Sequence, residues 1–105
     1  MGQVFKHAAA KRDLVEHFVY LAENASLAIA DRFLLQAEKS FSDLANHPAM
    51  GVELALSASE VAGMRKWQVK DFEKFLIFYR PRPHGVSIVR VLHAAQDWWS
   101  VLGLG

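Results

Sequence analysis

The stretch from Phe72 to Asp97, FEKFLIFYRPRPHGVSIVRVLHAAQD, constrains the fold more than any other part of the chain. Phe75, Leu76, Ile77, Phe78 and Tyr79 form an unbroken apolar run, too short for a stable helix and rich in aromatic and branched residues. That composition predicts a central strand covered on both faces. Pro81, Pro83 and Gly85 follow, two fixing φ and one freeing it, which suits a reversal. Val86 to Leu92 is a second β-branched run, interrupted by Ser87 and Arg90 and ending at His93. A buried hairpin is expected, and the remaining segments read as its cover.

The chain has 105 residues, enough for one domain spanning 1–105 with its own core and no room for a second. It has no cysteine, so neither a disulfide nor a thiolate metal site holds it, which fits a reducing compartment. No apolar run approaches the roughly 20 residues that span a bilayer, and Met1 leads into Gln3 to Lys6 without an apolar signal region. The expectation is a cytoplasmic protein with no membrane partner. Residues 1–60 carry 5 Lys and Arg against 8 acids, and 61–105 carry 7 against 3, giving −3 and +4. The split suits a basic strand face that meets an acidic partner, although small domains show such splits by chance. No nucleic-acid-binding signature accompanies it, so direct nucleic-acid binding is not expected.

Gln3 to Lys6 reads as a short first strand. From Ala8 the period becomes helical, with Leu14, Phe18, Leu21 and Ala22 as the buried stripe, widened by Val15 and Val19. Lys11, Arg12, Asp13, Glu16, His17 and Glu23 are expected off it. Asn24 suits a left-handed exit and Ser26 a cap for a second helix, whose stripe is Ala30, Phe33, Leu34, Ala37, Phe41, Leu44 and Ala45. Pro48 and Gly51 end that helix, and so short a connection makes the two an antiparallel hairpin. Residues 49–63 read mostly as loop, with Leu54 and Leu56 anchored and Ser57 and Glu60 spaced as a capping box. Met64 to Val69 alternates as a half-exposed strand, and Lys70 with Asp71 turns it into the central one. Ala94 to Leu102 suits a short last helix stopped by Gly103. The order is β-α-α-β-β-β plus a terminal helix or turn. This is an α+β fold with a helical hairpin on a mainly antiparallel sheet.

No catalytic constellation stands out. His7, His17, His47, His84 and His93 are scattered and form no metal-ligand spacing, and no Gly-rich phosphate loop or nucleophile elbow is present. No metal or cofactor is expected, and the chain reads as a non-enzyme. Arg65 and Arg90 lie in otherwise apolar strands, so each is either in a structural ion pair, for instance with Asp97 or Glu73, or presented on a binding face. Trp98 and Trp99 are adjacent and cannot both enter one core. Either one packs inward and the other anchors a partner, or both flank the core edge.

The residues also carry a resemblance. Arg12, Asp13 and Leu14, then Ala30, Arg32 and Phe33, then Leu44, Ala45, Pro48, Met50 and Gly51 stand in familiar spacing. MRKWQVKDFEKFLIFYRP, the Gly85 turn and IVRVLHAAQD are more specific. The chain resembles the RelE/ParE toxin superfamily, in its ParE branch, the toxin half of bacterial toxin-antitoxin pairs also known as plasmid stabilisation proteins. The resemblance implies a cytoplasmic inhibitor that binds DNA gyrase and is neutralised by a ParD-like antitoxin wrapped over the helical hairpin and sheet. In place of the arginine the family often has before the last aspartate, this chain has Gln96, a lost charge that is expected to weaken target engagement. The candidates for target or antitoxin binding are Arg65, Arg90, His93, Gln96, Trp98 and Trp99, with Val15, Val19 and Ile29 as an apolar edge. The RelE branch supplies the alternative, a ribosome-dependent mRNA endonuclease in which Arg65, Arg90 and His93 converge on a phosphate. Against catalysis, the favoured reading of His93 is a strand-end residue whose ring bonds the backbone of the following turn. A third reading is a non-toxic member that keeps only antitoxin binding.

Overall fold

Strand β4 (Phe72–Arg82) is the middle of five, and the computed structural model, which describes residues 2–54 and 63–102, builds outward from it. The sheet order is β1-β5-β4-β3-β2, with β1 at Gln3–Lys6, β2 at Val52–Glu53, β3 at Arg65–Val69 and β5 at Gly85–His93. All neighbours are antiparallel except β1, which runs parallel to β5, so the sheet is mixed. Helix α1 (Ala8–Asn24) and helix α2 (Leu27–Asn46) form the expected hairpin on one face, and α3 is a single turn at Trp98–Val101.

Side chains of a strand alternate between faces, and β4 uses both. Phe75, Ile77 and Tyr79 join the main core beneath the helices, with Phe33, Ala37, Phe41 and Leu44 of α2 and Val86, Ile88 and Val91 of β5. Phe78 joins a smaller cluster with Met64 and Leu92, against which Leu54, Leu76, Val89, Trp98 and Leu102 pack. Phe33 is fully buried among Phe75, Phe72 and His17, with ring centroids 4.7, 5.5 and 6.0 Å away. Burial of each such side chain contributes about 1.5–3 kcal/mol.

The connections follow local chemistry. Ser26 caps α2 by accepting the Ile29 amide at 3.1 Å, as expected. Asn24 stays helical and the exit runs through Ala25, whose φ is −125°, so no left-handed residue is used there. The turn between β3 and β4 does use one, Asp71 at φ 65°, whose carboxylate is held by Arg32 and Gln36 of α2. Strand β4 runs on through Pro81, and the reversal falls at Pro83–His84. Gly85 begins β5 at φ 154° directly under β1, where a Cβ would stand 1.8 Å from the Gln3 carbonyl oxygen.

Part of the segment expected to be loop is a strand, because Val52 and Glu53 pair with Lys66 and Arg65. Tyr79 explains why the chain returns there. Its buried hydroxyl donates to the Pro48 carbonyl at 2.7 Å and accepts the Gly51 amide at 2.8 Å. Burial raises its pKa above the usual phenol value. A Cβ on Gly51 would lie 2.5 Å from that hydroxyl oxygen. Tyr79→Phe is therefore expected to cost about 1–2 kcal/mol, seen as a lower denaturation midpoint and faster amide exchange at Gly51. The Ser57 and Glu60 capping box, Leu56 and the Gly103 stop lie outside the described residues.

Candidate functional site

The chemistry-bearing residues gather where α1 crosses the end of β5. Ala10, Asp13, Leu14, His17 and Leu21 recur at helical spacing, and this is the face α1 turns inward: Ala10, Asp13 and Leu14 are buried, and Leu21 packs against the core. Asp13 is only 4% exposed. Its carboxylate accepts Arg90 Nε at 2.7 Å, Arg90 Nη2 at 2.8 Å and the Val91 amide at 3.0 Å. The β4 and β5 register slips here, with Phe78 opposite Arg90 but Tyr79 opposite Ile88, leaving Val89 as the extra residue of a bulge. Arg90 is thus an ion-paired strut between helix and sheet, and its partner is Asp13, not Asp97 or Glu73. The carboxylate bonds raise its pKa and keep it charged.

One turn on, His17 Nε2 lies 2.7 Å from the Val91 carbonyl oxygen and donates to it. Its ring meets Phe75 edge-on at 4.9 Å, and His93 meets the same ring from another side at 5.0 Å. Burial lowers the His17 pKa from its ordinary 6.5, outweighing the opposing pull of the Val91 bond and Asp13. Below pH 6.5 the unfolded chain gains a proton at His17 that the folded chain resists, so this group makes stability fall with pH. Denaturant midpoints measured from pH 8 to 5 should show that fall, and His17→Gln should flatten it.

His93 ends β5 with its Nδ1 accepting the Ala95 amide at 3.0 Å, the strand-end arrangement. Its own amide donates to the Gln96 side-chain oxygen at 2.6 Å, and the Gln96 amide returns a bond to the His93 carbonyl at 2.9 Å. Gln96 therefore closes the turn instead of pairing a charge. Asp97 then holds α3 through the Ser100 hydroxyl at 2.8 Å. Between this turn and α1 lies an open cleft of about 400 Å³, lined by Glu16, His17, Tyr20, Phe75, His93 and Gln96.

The three groups that a phosphate site needs do not meet. Arg65 donates to the Gly51 carbonyl at 2.7 Å and the Ala49 carbonyl at 3.3 Å, and approaches Glu53 at 4.0 Å. Arg90 is clamped on Asp13, and His93 faces Phe75. Trp98 packs inward on Phe78 at 5.4 Å, beneath Lys66 Nζ at 5.5 Å, while the Trp99 side chain lies outside the described residues. Val15, Val19 and Ile29 are 63%, 46% and 41% exposed, so the first two are outside the core stripe that periodicity assigned them. Asp13, His17, Glu16 and Tyr20 were not expected in a site. Positions 13 and 17 share the 3.6-residue period of Ala10, Leu14 and Leu21, which is the signal that finds them.

Among the described residues, no helix is long and apolar enough to cross a membrane, and no His, Cys, Asp or Glu cluster suits a metal. No curated protein matches the sequence. The solved structure of the chromosomal ParDE TA system from P. aeruginosa contains a similar chain, with a TM-score of 0.70 over 89% of this chain and 96% of that one. Identity is 14%, so this likeness shows the fold. The model of the ParE toxin of the type II toxin-antitoxin system, parDE, matches residues 4–98. With nearly the whole chain matched and the helical hairpin on a mixed sheet in place, the protein belongs to the ParE toxin family of type II toxin-antitoxin systems.

Proposed function

We propose that this chain is the toxin of a two-component module, acting by binding and trapping DNA gyrase during DNA cleavage and rejoining, and held inactive by a ParD-like antitoxin. Family membership supports the module, and gyrase is the target that the ParE branch implies. The observation that favours binding over catalysis is the commitment of Arg65, Arg90 and His93 to separate structural bonds. A ribonuclease needs preorganised cations aimed at developing phosphate charge. Here Arg90, on the same strand as His93, already gives two donors to Asp13, and no Lys or Arg lines the cleft between His93 and α1. Lys74 lines only a separate hollow that His93 shares with Phe72, Glu73 and Phe75. The antitoxin covers the exposed apolar edge of Val15, Val19 and Ile29, in the manner of an amphipathic segment laid on a helical surface.

Replacing His93 by alanine separates this reading from the RelE-type one. The binding inhibitor keeps its effect on gyrase supercoiling, whereas a ribonuclease loses cleavage of messenger RNA on translating ribosomes. Messenger cleavage by the wild-type protein that vanishes in His93→Ala would overturn the proposal in favour of the enzyme.

A further inference from the structure

The cleft between α1 and the turn after β5 is lined mainly by rings, with Ala95 and the Gln96 amide completing the wall on the turn side. Phe75 forms its floor, Tyr20 stands at its mouth 59% exposed, and the His17 and His93 rings flank Phe75. One carboxylate, Glu16, sits at the rim, and no Lys or Arg lines the space. Among the described residues Glu16 has no hydrogen bond or ion pair, unlike Asp13 one turn earlier, which is saturated by Arg90 and Val91.

Aromatic faces attract cations, more strongly where water is partly excluded, and an unpaired carboxylate adds a charge-assisted acceptor. A phosphate or carboxylate finds no cation in this lining, and the Arg90 guanidinium, which feels the Glu16 charge from outside it, has its donors committed to Asp13. A planar guanidinium fits better than a compact ammonium, because it stacks on a ring while its edge donates to a carboxylate. We infer that the cleft is a receptor for an arginine side chain, presented by the antitoxin as it crosses α1.

The antitoxin is the favoured source because of residue order on α1. Val15 and Val19 alternate with Glu16 and Tyr20, and at 100° per residue the four occupy one continuous outward arc. A segment covering the two valines passes the mouth of the cleft. Burial favours a neutral His17 near neutral pH, so that wall does not repel a cation. This choice of source rests on the antitoxin reading above, whereas the cation preference rests on the cleft alone.

The test has two arms on the purified chain. In the first, N-acetyl-arginine methylamide is titrated while the His17 and His93 imidazole resonances are followed, with the glutamine analogue as control. Saturable shifts with arginine only, lost in Glu16→Gln, are expected. Shifts that are absent, equal for both probes or unchanged by Glu16→Gln overturn the receptor. In the second, affinity for the protein encoded beside this chain is compared between wild type and Glu16→Gln. About a tenfold loss, the scale of one charge-assisted contact, is expected. Unchanged affinity overturns the antitoxin as the source of the arginine. A neighbour that binds neither form overturns the antitoxin reading itself, and the first arm still decides what the cleft takes. Glu16 is exposed, so its replacement leaves folding intact.

Discussion

Asp13→Ala is expected to lower stability by about 3–5 kcal/mol, the cost of breaking a buried ion pair from one side. Three donors lose their acceptor at once: the Nε and Nη2 N–H groups of the Arg90 guanidinium and the amide of Val91. The amide is buried, and the guanidinium keeps only 26% of its side-chain surface in water. A domain of this size is stable by roughly 5–15 kcal/mol, so the change removes a large share of the total. Thermal midpoints move by about 4–8 °C per kcal/mol, which places the shift above roughly 12 °C. Asp13→Leu combined with Arg90→Leu should recover much of the loss, because well-packed apolar residues often replace such a pair at little cost. A loss below about 1 kcal/mol in Asp13→Ala would show that the strut does not hold α1 to β5.

The second large effect is on association. Val15→Glu with Val19→Glu is expected to weaken antitoxin binding by at least about 100-fold. Each valine side chain buried in a complex contributes about 1.5 kcal/mol, and two of them make up that factor before any penalty for the new charges. Both side chains are exposed in the free protein, so folding stability should stay within about 0.5 kcal/mol of wild type. Titration calorimetry against the antitoxin reads the first quantity, and denaturant unfolding reads the second. Wild-type affinity in the double variant would move the antitoxin off this side of α1.

The hairpin of β4 and β5 was legible because an apolar run without helical period admits few alternatives, and the α2 stripe was legible because it keeps strict spacing from Ala30 to Ala45. Helix α1 was harder. Hydrophobicity placed Leu14, Phe18, Leu21 and Ala22 on its buried face, widened toward Val15 and Val19. Leu14 and Leu21 do pack inward, but the face widens on the opposite side because Asp13 and His17 find specific partners on β5. Polarity alone counts these residues as solvent-facing, and only their shared period with Ala10 and Leu14 argues otherwise. Strand β2 was illegible for a different reason: two residues pair with β3 because Tyr79 and Arg65 fix Pro48 to Gly51, and long-range bonds leave no local pattern. The register slip at Val89, which accompanies the Arg90 to Asp13 pair, likewise has no signature in VSIVRVLH. At the site, His93 bonded to the next turn was foreseeable from its place at a strand end, whereas Gln96 accepting the His93 amide required the folded turn.

The proposed inhibition of gyrase under antitoxin control is read out most directly in a plasmid supercoiling reaction with purified gyrase. The protein is added with and without its neighbouring antitoxin, and supercoiled and linear products are separated. Supercoiling should be lost and linear DNA accumulate, both prevented by the antitoxin. Undiminished supercoiling in the presence of folded protein would contradict the proposed inhibition.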